Sequence, residues 1–214
     1  MSDLLLLGAG GHGRVIAETA LATGRFNRIS FLDDRCCGPG QLPDQLGCPV
    51  IGPLSAALDP HIRQQFSAAI VAIGNAALRV QWLPSLATAG YEVPALVHPT
   101  ACVSPSAQLG VGSVVFAQAC IQAQAIIGSG AILNTSCSLD HDAQLGNGVH
   151  VCPGAHLAGE VQVGNRSWIG IGASVIQQIC IGDDVTVGAG AAVVRDLPDG
   201  VTAVGVPARV FPTV

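Results

Sequence analysis

From Val97 to Val193 every sixth residue of this chain is aliphatic, seventeen positions in succession without a gap. The run is Val97, Val103, Leu109, Val115, Ile121, Ile127, Leu133, Leu139, Leu145, Val151, Leu157, Val163, Ile169, Val175, Ile181, Val187 and Val193. Four residues after most of these stands a small one, such as Ala101, Ala119, Ala125 or Ala143, and glycines recur every eighteen residues at 110, 128, 146, 164 and 182. Neither an α-helix nor a flat two-residue alternation has a period of six. Three short strands per eighteen-residue coil do, with large aliphatics pointing inward and small residues at the corners. The pattern therefore predicts a triangular parallel β-helix over most of the second half of the chain.

Such a coil works as a coordinate system, because residues i and i+18 stack about 4.8 Å apart. His141 then falls in the column Pro105, Ala123, His141, Gly159, Gln177, Arg195. Small neighbours below and above leave room for a ligand along the coil axis. Asp142 adjoins it and can orient the imidazole and raise its basicity, as a carboxylate does in other acyl-transfer sites. His150 is nine residues on, half a coil away, in the apolar column Val114, Ile132, His150, Trp168. If the two histidines act together they meet across subunits, which predicts an oligomer, most simply a trimer of parallel prisms. Arg195 stands three coils above His141, about 14 Å.

The first ninety-five residues alternate between the two ordinary periods. Leu4–Leu7 reads as a buried strand, Gly8–Gly13 as a glycine-rich turn, and Arg14–Thr23 as a helix. Strands are expected at Ile29–Leu32, Ala68–Ile73 and Glu92–Leu96, with a helix near Ala76–Ala89. The Pro/Gly-rich stretch from Gly38 to Pro53 has no clear period. This is a small Rossmann-like βαβ domain at 1–95, followed by the β-helix and a short C-terminal cap at 96–214, an α/β plus β-solenoid chain with ligand sites at the carboxyl ends of the strands.

Composition narrows the function. Charged residues are 11%, aromatics 4%, net charge is −5, and there is no lysine. No basic patch marks a nucleic-acid partner, no run approaches a membrane span, and the N-terminus lacks the basic region of a secretory signal. The eight cysteines have neither metal-ligand spacing nor the frame of a small secreted domain, so they read as buried thiols in a cytoplasmic protein.

Several motifs together resemble the bacterial sugar acetyltransferase family of sialic acid O-acetyltransferases and UDP-4-amino-sugar N-acetyltransferases of the bacillosamine type. They are Gly8-Ala9-Gly10-Gly11-His12-Gly13, Phe31-Leu32-Asp33-Asp34, Ala72-Ile73-Gly74-Asn75, Val97-His98-Pro99-Thr100-Ala101, Leu133-Asn134-Thr135-Ser136, Asp140-His141-Asp142, Val149-His150-Val151 and Gly205-Val206-Pro207-Ala208-Arg209. The resemblance implies a left-handed β-helix of hexapeptide repeats and acetyl-CoA as co-substrate, with no metal. It makes His141 the general base and puts Asp142 where relatives often carry glutamate. His150 and Asn134 would lie by the acetyl group, and backbone at Gly159, Ile171 and Gly188 along the pantetheine, whose extended length would bring the phosphates of coenzyme A to Arg195 or else Arg209. Gly10, Gly11, His12, Asp33, Asp34 and Gly74 would hold the sugar acceptor. A nucleotide-linked 4-amino-4,6-dideoxy sugar is the first choice, a sialic-acid-type hydroxyl the second, in surface polysaccharide biosynthesis.

Rival readings stay open at this point. Gly8-x-Gly10-x-x-Gly13 with Asp33 twenty residues on also fits a dinucleotide fingerprint and an NAD-dependent oxidoreductase. However, the unit is about half a full dinucleotide fold, and no second catalytic α/β domain follows. His141, His150 and His156 could instead be three zinc ligands of a γ-type carbonic anhydrase. A non-catalytic scaffold would leave the Asp-His-Asp element without a role.

Overall fold

The computed structural model describes residues 2–36 and 44–211. The chain forms two compact units, Met1–Leu96 and Val97–Val214. In the first, β1 (Ser2–Leu7) leads to α1 (Gly11–Thr23) and β2 (Phe26–Leu32). β3 (Val50–Gly52), α2 (Pro60–Gln65), β4 (Ala68–Val71) and α3 (Ala76–Thr88) complete it. The sheet is parallel throughout, in the order β3-β2-β1-β4. Leu4 to Leu7 are all fully buried, as expected of a central parallel strand covered on both faces.

Three details differ from the sequence reading. β2 begins three residues earlier, at Phe26, because Asn27 and Arg28 interrupt the apolar pattern without breaking the ladder. A strand, β3, lies inside the stretch that had no clear period; residues 38–43 of that stretch, and Cys37 before it, fall outside the described residues. The segment expected as a strand at Glu92–Leu96 makes one isolated bridge, Ala68 to Glu92, before the Leu96–Val97 strand.

In the second unit each hexad contributes a two-residue strand, and strands eighteen residues apart pair in parallel register, as Cys120–Ile121, Ser138–Leu139 and His156–Leu157 do. Three sheets result, the faces of a triangular prism. The inward aliphatics from Val115 to Val193 are buried, at roughly 1.5–3 kcal/mol each. Val97, Val103 and Leu109 are only half-buried, since the first coil has a coil on one side alone. The eighteen-residue glycine period has a steric cause. A Cβ on Gly110 or Gly128 would lie 2.5 Å from backbone of the next coil.

Beside these glycines runs a ladder of side-chain acceptors. The amides of Ser129, Asn147, Asn165 and Asp183 donate to the side chains of Asn147, Asn165, Asp183 and Asp199, each one coil on. The ladder satisfies corner amides that no strand can pair. The thiols depart from the expectation of burial: Cys102 and Cys180 are exposed, because each occupies the outward position of its two-residue strand. No helix among the described residues is long and apolar enough to cross a membrane.

Candidate active site

In the β-helix the chain leaves the strand Ser138–Leu139 and turns through Asp140-His141-Asp142. Asp142 adopts the left-handed conformation, φ 59°, as do Gln124 and Glu160 one coil away on either side. Aspartate tolerates that region better than most residues. The turn brings its carboxylate back onto its neighbour, and His141 Nδ1 lies 2.8 Å from Asp142 Oδ2. The short side chain therefore reaches its neighbour's ring without a longer stem. With Nδ1 donating to Asp142, the Nε2 lone pair is the basic one. The hydrogen bond to Asp142, helped by the charges of Asp140 and Glu160, raises the His141 pKa above the ordinary histidine range. Both side chains are more than half exposed. Asp140 Oδ1 accepts from the His141 amide and closes the turn from the other side.

The open space expected above His141 is filled by its own ring. A Cβ built on Gly159 would lie 2.5 Å from Nε2 and 2.7 Å from Cε1. The imidazole thus rests on the bare Cα of Gly159, and glycine is needed there because of the histidine. The Gly159 amide has no acceptor among the described residues, and neither has that of Ile171, an exposed residue. Gly188 differs: its amide donates to Ala203 O at 2.8 Å, and Val204 packs over its Cα. Its N–H is thus paired within the β-helix.

His150, on the next face, accepts at Nε2 from Asn134 Nδ2 at 3.1 Å. The Asn134 amide orientation follows from its Oδ1, which takes the Thr135 N–H at 2.8 Å. The His150 ring lies edge-on to Trp168 with centroids 4.4 Å apart. Of its column, Val114 and Ile132 are already buried in the single chain, leaving Trp168 as the exposed apolar member. Arg195 and Arg209 are both exposed. His156, on a third strand, bonds Ser138 through Nδ1 at 2.8 Å. Among the described residues no cluster of three or more His, Cys, Asp or Glu groups could hold a metal.

The α/β unit has its own concentration of predicted residues. β1 lies between β2 and β4, so chain direction across the sheet switches at β1 and opens a crevice outside the carboxyl ends of β1 and β4. Gly8–Gly13 follows β1 and Ile73–Asn75 follows β4. A Cβ on Gly13 would stand 2.1 Å from Gly8 O, so only glycine lets α1 start this close to the strand. The N-cap of α1, Gly10, has no side chain to cap the helix, which leaves first-turn amides for a ligand. Gly11 and Gly74 are exposed and Gly10 half-buried, all at this edge. His12 is largely buried; burial first, and the nearby charge of Arg79 second, hold its pKa down to about 4.

Asp33 is engaged within the α/β unit itself. Its Oδ2 accepts from the Ala9 amide and from Arg35 Nη2, both at 2.9 Å, and its Oδ1 from Arg35 Nε at 2.9 Å. Arg35 pulls its pKa down to about 2. The carboxylate braces the glycine-rich turn and holds Arg35 beside Gly10, with Nη2 3.8 Å from where a Cβ there would stand. Asp33 is therefore not free to take the ribose hydroxyls that a dinucleotide fingerprint requires. Asp34 is turned toward the Leu54 amide at 2.9 Å. Arg35, half exposed at this edge, was the cation to find; its signal was the Asp-Asp-Arg run at the end of a strand.

Comparison with known proteins agrees with this architecture. Residues 3–86 match the family model described as the PglD N-terminal domain. The acetyltransferase domain of PglB from Neisseria gonorrhoeae FA1090 is 44% identical and superposes with a TM-score of 0.92 over 99% of this chain and 100% of that one. The same domain has been solved with acetyl coenzyme A. A variant of perosamine N-acetyltransferase from Caulobacter crescentus, in complex with CoA and GDP-perosamine, is 39% identical, with a TM-score of 0.90 over 100% of this chain and 98% of that one. The UDP-N-acetylbacillosamine N-acetyltransferase of Bacillus subtilis (strain 168) is 39% identical over 116 residues, 54% of this chain and 51% of that protein. The match thus spans about half the length of that curated relative. With a Rossmann-like unit, a left-handed parallel β-helix and similarity along nearly the whole chain to the PglB acetyltransferase domain and perosamine N-acetyltransferase, the chain belongs to the hexapeptide-repeat sugar acetyltransferases, a family of acetyl-CoA-dependent acyltransferases.

Proposed function

We propose that this protein transfers the acetyl group of acetyl-CoA to the primary amine of a nucleotide-linked 4-amino-4,6-dideoxy sugar. One observation carries the reading: His141, oriented by Asp142, rests on a glycine whose amide is unpartnered. His141 Nε2 takes the proton from the amine as its nitrogen attacks the thioester carbonyl. The C–N bond forms, the C–S bond breaks, and the coenzyme A thiolate leaves to be protonated. General-base assistance of this kind is worth roughly 10²–10⁴ in rate. The Gly159 amide is suited to donate to the carbonyl oxygen as negative charge builds on it.

Asn134 and His150 form a second polar group, suited to the acetyl and pantetheine portions of the donor. Exposed Ile171 flanks the same arm, and Arg195 or Arg209 meets its phosphates. Gly10, Gly11, His12, Gly74 and Arg35 hold the nucleotide sugar, with Asp33 and Asp34 supporting them. The relatives' complexes with acetyl coenzyme A, and with CoA and GDP-perosamine, support an acyl donor and a nucleotide-sugar acceptor as the two ligands. The exposed apolar residues Trp168, Ile171 and Ile176 support a homotrimer with active sites between subunits.

Thiol release from acetyl-CoA, measured against a panel of UDP- and GDP-linked amino sugars and sialic acids, tests the reading. Turnover is expected with an amino-sugar nucleotide and a loss of at least 10²-fold in His141→Ala. Turnover only with a sialic acid would overturn the acceptor, and undiminished turnover in the variant would overturn the role of His141.

A further inference from the structure

We propose that Arg79 is a positioning residue for the nucleotide diphosphate, holding the Ile73–Asn75 turn with its amides toward the ligand. The inference rests on the reading that the α/β unit binds a nucleotide sugar. Arg79 sits in the first turn of α3, four residues after the N-cap Asn75, and is only 1% exposed. Full burial of an arginine is rare and needs hydrogen bonds to offset its cost. Here the side chain folds back toward the turn, and Nη1 donates to Ile73 O at 2.8 Å and to Gly74 O at 2.9 Å.

The consequence follows from peptide geometry. In a trans peptide the C=O and N–H of one unit point in opposite directions. Drawing the Ile73 carbonyl inward turns the Gly74 N–H outward, and drawing the Gly74 carbonyl inward does the same for Asn75. Neither amide has an acceptor among the described residues. Both residues are exposed, and nothing lies within 4 Å of where a Gly74 Cβ would stand. Asn75 meanwhile spends its own side chain on the Leu78 amide, 3.0 Å away.

The turn adjoins the glycine-rich one. A Cβ on Gly8 would stand 2.7 Å from Ala72 O and 3.3 Å from Ile73 Cγ1. Two groups of outward amides therefore lie side by side at the carboxyl ends of β1 and β4, one at the uncapped start of α1 and one set by Arg79. Paired amide groups of this kind suit a group with two adjacent anionic centres, which a diphosphate has. Burial lowers the Arg79 pKa only to about 10, so at neutral pH the guanidinium keeps its charge and all its donors.

Titration calorimetry with UDP and with GDP, each as the free diphosphate, against wild type, Arg79→Lys and Arg79→Met tests this. The Kd is expected to rise roughly tenfold for Lys and further for Met, since part or all of the grip on two carbonyls is lost. The KM for acetyl-CoA is expected to stay within twofold. Melting temperatures that fall while the diphosphate Kd stays at its wild-type value would show a purely structural arginine and overturn the assignment. A wild-type protein that binds neither diphosphate overturns the reading of the α/β unit itself. If neither variant folds, the amide resonances of Gly74 and Asn75 in the wild-type protein decide. They should shift on addition of diphosphate, and resonances that stay in place at saturation overturn the proposal.

Discussion

Replacing Gly159 by alanine tests the placement of the base without touching the base. The new Cβ would stand 2.5 Å from His141 Nε2 and 2.7 Å from Cε1, against ordinary contact at about 3.4 Å. The imidazole must therefore retreat by about 1 Å or swing off its perch. The fold has little reason to object, because the ring is more than half exposed and Gly159 does not use the left-handed backbone region. Stability should change by less than about 1 kcal/mol, and its sign can favour alanine through the smaller entropy of the unfolded chain. Catalysis should not be so tolerant, since a misplacement of about 1 Å is worth roughly 10²-fold in rate. Thiol release at saturating acetyl-CoA and acceptor is the assay, with His141→Ala and the double variant alongside. The double variant should be no slower than His141→Ala alone, because the glycine acts through the ring. A Gly159→Ala enzyme with kcat within about threefold of wild type, or losses that simply add in the double variant, would refute the reasoning.

Three further outcomes follow from the same geometry. His141 must be unprotonated to act, so kcat/KM should rise with pH through a pKa above the ordinary histidine range; Asp142→Asn removes the leading cause of that elevation, moving the limb to lower pH and cutting the plateau about tenfold. Asp33→Asn should cost about 2 kcal/mol at neutral pH, measured by denaturant unfolding, from the drop of its pKa to about 2. Because that pKa is depressed on folding, the wild-type advantage is complete above pH 4 and disappears as pH falls toward 2; an advantage that persisted at pH 2 would contradict it. Asn147→Ala removes the acceptor for the Ser129 amide, one rung of the corner ladder, and should lower stability by about 1 kcal/mol, seen as a melting shift of about 2–4 °C.

What the amino-acid order determined by itself was whatever depends on period and stacking. Seventeen inward aliphatics at a spacing of six can be satisfied by one kind of coil, because each must meet the interior and no other regular backbone returns to it every sixth residue. The same arithmetic set His141 over Gly159 and put His150 on another face. The glycine spacing at Gly8, Gly10 and Gly13 likewise foretold a helix starting tight against a strand. Only the tertiary structure decided how side chains use their atoms, since that depends on directions a spacing does not contain. It showed that the left-handed turn at Asp142 closes its hydrogen bond to His141, and that the Gly188 amide is already spent on Ala203. It showed the Asp33 carboxylate bonded to Ala9 and Arg35, and a buried arginine at 79 gripping a turn from within. Arg79 reads in the sequence as an ordinary helical residue on a surface-like pattern. Its burial comes from the folding back of one long side chain, an event with no period to announce it.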